Sequence, residues 1–477
     1  MFFTKKKSGI EPAAEKETVD RSDRYIILAV LIQVGMSGLL FLKSREASLN
    51  YLILLIPILI VTAFLGTHTY NKDGDMKLFF AFAVLASIGA ALQFLVDEIY
   101  HPPTVFSPVK YLISFGCSFL FILFYKLFRK MLNHSVTLYL AILMAAGIYT
   151  LLYFKGVDPN GYGTKAWLTV GPVTFQLTDF TKITALIFYS TLFSSKSERS
   201  TWFILVISSF FFALNLAGSV LIHELGSFFI LFFLHLSVLC IFMPHSKAKR
   251  IYLIAIFLFC VMVVGGSFVL YKILLPQAES GTLNRISTII WPVVKKIYVR
   301  FSLTANLNSD PYGSGYQLLQ GKKALWMSGL LGNTVNFSAL PVPESDMAFI
   351  ALASGFGLPL AFFTVLMFLR IFISGSEISR KISEYDPADS VLVYSVTVML
   401  FLQAMIVILG SCNLIPFTGL PIPFLSRGGT YQAIVFSFAG LMISLSQNNG
   451  RKYKESEVDP DVTEQLEIPY PGQDQAQ

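Results

Sequence analysis

Long apolar stretches separated by short polar or basic segments run through most of this chain. A helix needs roughly 20 apolar residues to cross about 30 Å of hydrocarbon, and twelve stretches approach or exceed that length. The pattern predicts an all-α fold, a polytopic integral membrane helical bundle of about twelve spans. The predicted spans are residues 25–43, 50–67, 77–97, 109–128, 136–154, 178–195, 200–218, 221–243, 251–272, 346–373, 388–410 and 428–447.

Composition supports the membrane class and narrows the function. Hydrophobic residues make up 54% of the chain and charged residues only 14%, which excludes a soluble domain. The net charge of +7 follows from Lys and Arg beside the spans, so no nucleic-acid partner is needed to explain it. The four cysteines lie in or beside apolar runs without C-x-x-C spacing, and are interpreted as small hydrophobic residues: Cys117, Cys240, Cys260 and Cys412.

The basic residues also predict the orientation, because cytoplasmic loops of membrane proteins carry an excess of Lys and Arg. Both termini are expected in the cytoplasm, and loops 155–177, 273–345 and 411–427 are expected outside. The basic residues that this orientation places inside include Arg24, Lys126, Arg129, Lys196, Lys247, Arg380 and Arg451.

Polarity divides the chain into three parts. Residues 1–24 form a cytoplasmic segment with no small-residue cleavage site, so the first span is predicted to be an uncleaved anchor. Residues 25–447 form the membrane domain, which includes the extracytoplasmic loop 273–345. Residues 448–477 are polar and acidic, and are predicted to be a disordered cytoplasmic tail.

Two segments on the predicted outer side have sequences typical of ordered, functional structure. The Pro- and Gly-rich segment 418–430 lies between two apolar runs, where irregular backbone is tolerated only against protein or a watery cavity. The loop 273–345 contains the basic run Trp291–Arg300, a turn at Asp310–Gln317 and a predicted helix over Leu318–Ser328. These features predict a site formed by outer loops, with an ordered surface cap as the alternative for the second segment.

The same segments, in the same order, resemble signatures of the SEDS family (shape, elongation, division and sporulation proteins, the FtsW/RodA/SpoVE group). Residues 416–429 resemble the family pattern P-x-T-G-L-P-x-P-F-x-S-x-G-G, and Asp310–Gln317 resembles D-P-x-G-x-G-Y-Q. The resemblance implies a ten-span core, to which the spans at 25–43 and 50–67 are additional. Further similar segments are Gly163–Leu168, Phe175–Lys182, Ile222–Gly226, Arg300 with Asn306, Ser328–Gly332 and Leu340–Phe349.

Departures from the family patterns mark a divergent member. Ala166 stands where the family has an Arg before Trp167, with Lys165 beside it. Arg427 stands where the family has an aromatic residue. The acidic pair that the family keeps eight and nine residues after its catalytic Asp is here Ser354-Gly355.

Asp346 is the predicted catalytic residue. It lies where a polar loop enters an apolar helix, and a carboxylate at a membrane boundary is costly unless it is solvated, paired or functional. Partial desolvation would raise its pKa toward the range useful for a general base. The alternative is that Asp346 or Ser345 caps the following helix. The resemblance favours catalysis, because the family's essential Asp stands at this position.

Cations near Asp346 are predicted to hold the pyrophosphate that the resemblance implies, because Lys and Arg groups stabilise the charge of a leaving pyrophosphate. Arg300 and Lys182 are the main candidates, although Lys182 is also placed to pair with Asp179 one helical turn earlier. His223 is interpreted as a core histidine. Weaker candidate cations are Lys322, Lys323 and Arg427, and the motifs also place Gln317, Lys165, Ser426 and Thr430 at the substrate.

The resemblance implies a glycosyltransferase of the bacterial cytoplasmic membrane that polymerises lipid II into β-1,4-linked glycan strands of peptidoglycan. Asp346 would deprotonate the acceptor, and undecaprenyl pyrophosphate would leave with inversion. A divalent cation, Mg²⁺ or Mn²⁺, could share the pyrophosphate charge, although the sequence shows no dedicated metal cluster. Cross-linking would need a class B penicillin-binding protein, with other divisome or elongasome membrane proteins as further partners.

Two other functions remain open. A flippase for lipid-linked precursors would also use intramembrane charges such as Lys182 and Glu224. A catalytically silent scaffold for a cell-wall synthase would be consistent with Ser354-Gly355 in place of the acidic pair, whereas the presence of Asp346 argues against it. The role in division, elongation or sporulation is not specified by the sequence.

Overall fold

The computed structural model describes residues 24–457 except 102–104, 160, 162, 172, 195–198, 314, 335–336, 338 and 385. Most of the predicted segment 1–24 and the part of the predicted tail over 458–477 therefore lie outside the described residues. The helices are α1 (Arg24–Phe41), α2 (Arg45–Asn71), α3 (Met76–Tyr100), α4 (Pro108–Gly116), α5 (Ser118–Leu132), α6 (Ser135–Lys155), α7 (Thr178–Leu192), α8 (Thr201–Leu221), α9 (Gly226–Phe242), α10 (Lys247–Glu279), α11 (Arg285–Ala305), α12 (Tyr316–Trp326), α13 (Ala348–Phe356), α14 (Leu358–Ile382), α15 (Pro387–Ser411) and α16 (Gly429–Glu457).

Within the described ranges, ten helical segments are long and apolar enough to cross a membrane, which confirms the predicted all-α polytopic fold. Two of the twelve predicted spans are shorter helices, since α7 has 15 residues and α9 has 17. Neighbouring helices bury α7 along nearly its whole length. Because α7 is surrounded by protein and not by lipid, it need not be as long as the hydrocarbon is thick. The apolar part of α3 is completely buried and forms the centre of the bundle.

The predicted span at 346–373 is interrupted at Gly357, which separates α13 from α14. The φ of Gly357 is +101°, a conformation that other residues rarely adopt. A β-carbon there would lie 2.1 Å from the carbonyl oxygen of Leu330, so the loop 273–345 approaches the break closely. The short helix α13 is therefore enclosed between the bundle and the loop.

The loops predicted to face outward contain more regular structure than the sequence predicts. Strands β1 (Trp167–Val170) and β2 (Val173–Gln176) form an antiparallel hairpin within the predicted loop 155–177. In the loop 273–345, the basic run belongs to α11, and the predicted helix over Leu318–Ser328 is observed as α12. Helix α16 also continues to Glu457, past the predicted start of the tail.

Contacts between distant segments distinguish the two ends of the bundle. At one end, Asp75 N donates to Ser446 Oγ over 3.1 Å, joining the turn before α3 to the last part of α16. At the other, Arg427 Nε donates to Gln93 Oε1 over 3.1 Å, joining the segment before α16 to α3. The end with the Arg427–Gln93 contact is called the Asp346 end, because Asp346 also lies there. Helix α1 begins, and the apolar part of α16 ends, away from the Asp346 end, as expected for termini on one side of a membrane.

The predicted orientation can be tested by thiol labelling in intact cells. Ser309 and Lys247 are polar positions at opposite ends of the bundle, Ser309 near the Asp346 end and Lys247 at the start of α10. In a background without native cysteines, we expect an impermeant reagent to label Ser309→Cys in intact cells and Lys247→Cys only after permeabilisation. The reverse pattern would place Asp346 in the cytoplasm and contradict the orientation.

Candidate active site

Asp346 lies in a tight turn immediately before α13. Met347 N donates to Val342 O over 3.2 Å, and Val342 adopts a left-handed φ of +51° that closes the turn. The N-cap of α13 is Met347, and no side chain caps this helix. Asp346 Oδ1 instead accepts a hydrogen bond from Ser345 Oγ over 3.0 Å, so the capping alternative does not describe the observed geometry.

The Pro- and Gly-rich segment folds over this turn, as predicted for irregular backbone that packs on protein. A β-carbon at Gly419 would lie 3.3 Å from Asp346 Oδ2, and Gly419 has a φ of +65°. Ser426 Oγ donates to Ser345 O over 2.7 Å and accepts from Ile422 N over 2.8 Å. The segment is therefore tied to the residue beside Asp346, and Asp346 is held against backbone from a distant part of the chain.

Arg300 reaches the same place from the last turns of α11. Its Nη2 donates to Thr418 O over 3.2 Å, and the described contacts use no other N–H group of this guanidinium. Burial lowers the pKa of Arg300, whereas the nearby carboxylates of Glu224 and Asp346 raise it. A half-buried guanidinium with donors to spare, beside a carboxylate, is suited to binding an anion.

The environment of Asp346 adjusts its pKa for proton transfer. Burial raises the pKa of Asp346 to about 6, while the Ser345 hydroxyl and the positive charge of Arg300 act in the opposite direction. Glu344 and Glu224 raise this pKa further through their negative charges. A carboxyl with a pKa near 6 is mostly deprotonated at neutral pH and still basic enough to accept a proton.

Lys296 is a site residue that the sequence analysis missed. It lies one turn before Arg300 on α11, and its Nζ donates to Thr164 Oγ1 over 2.6 Å and to His223 O over 2.8 Å. Burial lowers the pKa of Lys296. The spacing of four residues within the run Trp291–Arg300 was a signal, because residues so spaced share one face of a helix.

The turn after α8 carries the next group of predicted residues. His223 lies in this turn with φ +58° and is only partly buried, so the prediction of a core histidine is wrong; its Nδ1 is 3.3 Å from Gly163 O. Glu224 Oε1 accepts from Ser227 N over 2.9 Å at the start of α9. Lys165 is exposed beside this turn, and its backbone N donates to Ile222 O over 3.0 Å.

Lys182 lies beneath the Pro- and Gly-rich segment. Its Nζ donates to Asp179 Oδ1 over 2.8 Å and to Gln403 Oε1 over 3.1 Å, and its side chain is only 2% exposed. Gln403 Nε2 in turn donates to Pro421 O over 2.8 Å. The structure therefore matches the ion-paired alternative for Lys182, because this ammonium already has two partners within the protein.

A paired substitution tests the structural role of Lys182. Removing one member of a buried ion pair leaves an uncompensated charge, so Lys182→Met alone should lower the free energy of unfolding by about 3–5 kcal/mol. Combining Lys182→Met with Asp179→Asn removes both charges and should restore most of the stability and activity. The measurements are thermal unfolding in detergent and turnover, with Lys247→Met, an exposed lysine outside the site, as the control. A double variant that is stable but inactive would mean that Lys182 acts in the site and is not only a structural ion-pair partner.

Gln317 points into the protein from α12. Its Nε2 is buried, with no hydrogen-bond partner. Gly321, one turn later on the same helix, packs against Met347, the residue after Asp346. The unpartnered amide therefore lies on the face of α12 that is turned toward the Asp346 turn, which is consistent with its predicted role in binding.

The remaining predicted residues have different surroundings. Ser426 is 1% exposed and bonded on both sides, so its observed role is to hold the segment to the Asp346 turn. Arg427 pairs with Asp97 and donates to Gln93, so its charge is already balanced. Thr430 is partly exposed in the first turn of α16. Asp346 and Arg300 are the two predicted site residues that lie near the same loop. Arg300 has further N–H donors there, and Asp346 has a further carboxylate oxygen.

Comparisons with known proteins agree with this architecture. The family model FTSW_RODA_SPOVE, described as "Cell cycle protein", matches residues 74–451. A Synechocystis protein named "Probable peptidoglycan glycosyltransferase FtsW" is 28% identical over 64% of this chain and 70% of its own length. Stage V sporulation protein E of Bacillus subtilis is 24% identical over 63% of this chain and 76% of its own length.

A solved structure has the same fold as this chain. It is described as "Structural coordination of polymerization and crosslinking by a peptidoglycan synthase complex", and the aligned chain has a TM-score of 0.58 at 16% identity. The alignment covers 80% of this chain and 99% of that one. The segments that carry Asp346 and Arg300 lie within the region matched by the family model. This chain belongs to the FtsW/RodA/SpoVE family of multi-pass membrane proteins.

Proposed function

We propose that this protein is a peptidoglycan glycosyltransferase that polymerises lipid II at the outer face of the bacterial cytoplasmic membrane, in division, elongation or sporulation. The observation that carries the proposal is the position of both groups beneath one irregular loop: Arg300 donates to Thr418 O, and the next residue, Gly419, lies against the carboxylate of Asp346, whose pKa is about 6. The names of two relatives, one a glycosyltransferase and one a sporulation protein, support it.

In this mechanism Asp346 is the general base. Its carboxylate accepts the proton of the 4-hydroxyl of the acceptor GlcNAc while that oxygen attacks C1 of the donor MurNAc. The new C1–O4 bond forms as the bond from C1 to the pyrophosphate oxygen breaks, which inverts the anomeric carbon to the β configuration. Undecaprenyl pyrophosphate leaves with the electron pair, and Asp346 later releases the proton to water.

Arg300 stabilises the charge of the departing pyrophosphate. Its guanidinium has further N–H donors besides the one bonded to Thr418 O, and a planar fork of donors matches phosphate oxygens. Lys296 holds the neighbouring loop and adds positive charge one turn away. These fixed donors act in a half-buried site, where electrostatic stabilisation is stronger than in water.

A divalent cation is a separate expectation. Among the described residues, no three His, Cys, Asp or Glu side chains form a group that could hold a metal ion. Mg²⁺ or Mn²⁺ would therefore contribute mainly through the pyrophosphate oxygens of the substrate, and no step above depends on it. Turnover with and without a chelator measures that contribution.

We also propose that a class B penicillin-binding protein cross-links the product. The fold relative is described as a complex that coordinates polymerisation with cross-linking, which supports a partner of this type. Other divisome or elongasome membrane proteins would determine where the pair acts.

The direct experiment uses the purified full chain in lipid nanodiscs with lipid II, with and without the penicillin-binding protein. We expect glycan polymer from the wild type and a higher yield with the partner. No polymer from the chain, alone or with this partner, would indicate a scaffold. Transbilayer movement of lipid II without polymer would indicate a flippase.

A further inference from the structure

The two helices that precede the family match reach the Asp346 end of the bundle. The family model begins at residue 74, so α1, α2 and their connecting turn lie before it. In that turn, Lys43 Nζ donates to Leu331 O in a short hydrogen bond and to Gly332 O over 3.1 Å. One ammonium thus binds two consecutive carbonyls of a loop that is 288 residues away in the sequence.

The loop segment that Lys43 holds is in turn bonded to the α13–α14 break. Asn333 N donates to Ser354 O over 2.7 Å, and Ser354 Oγ donates to Asn333 O over 2.9 Å. Leu358 N donates to Gly329 O over 3.0 Å on the other side of the break. Segment 329–333 therefore forms a bridge between Lys43 and the end of α13.

The close fit of this bridge depends on glycine. A β-carbon at Gly332 would lie 2.5 Å from Gly355 O, which is too close for any side chain. The approach at Gly357 is equally tight, with Leu330 O in the way. A displacement of segment 329–333 would therefore also displace the backbone of the break, because no flexible side chain lies between the segment and the break.

Helix α13 connects this break to the catalytic turn. It has nine residues, all of them buried, and it begins two residues after Asp346. Its first end is held by the Pro- and Gly-rich segment through Ser426, and its second end by segment 329–333. A short helix held at both ends places Asp346 relative to Arg300.

The hairpin that carries Lys43 is itself fixed to the bundle. Ser44 caps α2 by accepting from Ala47 N over 3.1 Å. Ser48 Oγ donates to Ser37 O over 3.1 Å and ties the two helices together. Gln33 Nε2, on α1, donates to Thr62 Oγ1 over 2.8 Å and to Ala83 O, on α3 of the bundle, over 3.5 Å. The turn is therefore a rigid point of attachment.

We propose that the α1–α2 hairpin positions the Asp346 site, and that Lys43 is the positioning residue through which it acts. Lys43 holds segment 329–333 against the end of α13 and thereby fixes Asp346 in the site. In this role Lys43 acts through the backbone of segment 329–333 and not on the substrate, so its loss should lower the rate more than the affinity. The kinetic part of this inference rests on the proposed function, whereas the contact itself does not.

The test compares Lys43→Met with Lys43→Arg and with Arg45→Met in the full chain. Arg45 is an exposed cation two residues away, so its variant removes the same charge without the contact. A misplacement of about 1 Å can cost 10²-fold, so we expect Lys43→Met to lower kcat by about 10- to 100-fold, with KM for lipid II within about twofold. Lys43→Arg should keep most of the rate, and Arg45→Met all of it.

A second readout is independent of catalysis. Spin labels at Leu42→Cys and Leu330→Cys, both exposed positions, report the distance between the hairpin turn and the loop. We expect one narrow distance distribution when Lys43 is retained or changed by Lys43→Arg, and a broad one with Lys43→Met or, if that variant folds poorly, Lys43→Gln. An unchanged distribution together with an unchanged kcat would overturn the inference. A wild-type protein without polymerase activity would overturn the proposed function alone, because the distance measurement still decides the contact.

Discussion

Asp346→Asn and Asp346→Ala are expected to lose about 10²–10⁴ of the polymerisation rate while folding and inserting normally, because removal of a positioned general base costs that much. Asn keeps the shape of the side chain and its bond with Ser345, so a large loss in this variant isolates the proton-accepting role. The assay is glycan polymer formed from lipid II by the purified protein. Glu279→Gln, an exposed carboxylate change at the end of α10, is the matched control.

The pH dependence of the same assay identifies the group that loses its proton. A base with a pKa of about 6 is active only when deprotonated, so the rate should rise as the pH increases through about 6 and then level off. The Ser345 hydroxyl lowers this pKa, so Ser345→Ala should move the acid limb to higher pH. A near wild-type rate in Asp346→Asn would contradict the assignment of the base. An acid limb at the same pH in Ser345→Ala and the wild type would contradict it as well.

Arg300→Ala is expected to raise the barrier by about 2–4 kcal/mol, the loss found when one donor to a developing anion is removed. That corresponds to a rate lower by about 30- to 1,000-fold. Arg300→Lys should recover only part of this, because an ammonium is a point charge and cannot bind two phosphate oxygens as a guanidinium fork does. Single-turnover rates with saturating lipid II separate this effect from weaker binding.

Arg285→Ala is the matched control, since Arg285 lies on the same helix and is exposed. A loss confined to KM in Arg300→Ala would mean that the guanidinium binds substrate and transition state equally. That result would remove Arg300 from the chemical step and leave it as a binding residue.

Two departures from the family patterns have observed roles in this protein. Ser354 and Gly355 stand where the resemblance implies an acidic pair, and here they form the close contact with segment 329–333. Arg427 stands where an aromatic residue is expected, and it pairs with Asp97 at the end of α3. Both substitutions thus lie at contacts that fasten loops at the Asp346 end to the bundle.

The sequence alone determined the membrane class, the positions of most helices and the identity of the catalytic candidate. These features depend on local properties: an apolar run of sufficient length partitions into the bilayer wherever it occurs. Asp346 stood out because a carboxylate at the start of an apolar segment is costly, and the resemblance to the family then favoured catalysis over helix capping. The segment 416–429 could be identified because Pro and Gly restrict the backbone locally.

Only the tertiary structure decided which polar groups meet. Lys182 and Arg300 are both cations in the sequence, yet packing gives Lys182 to Asp179 and Gln403 and leaves Arg300 beside Asp346. Lys43 joins a loop nearly three hundred residues away, and no pattern of local hydrophobicity contains that contact. The physical reason is that lipid solvates all apolar surfaces alike, so the bundle is specified by close packing and by hydrogen bonds between distant segments.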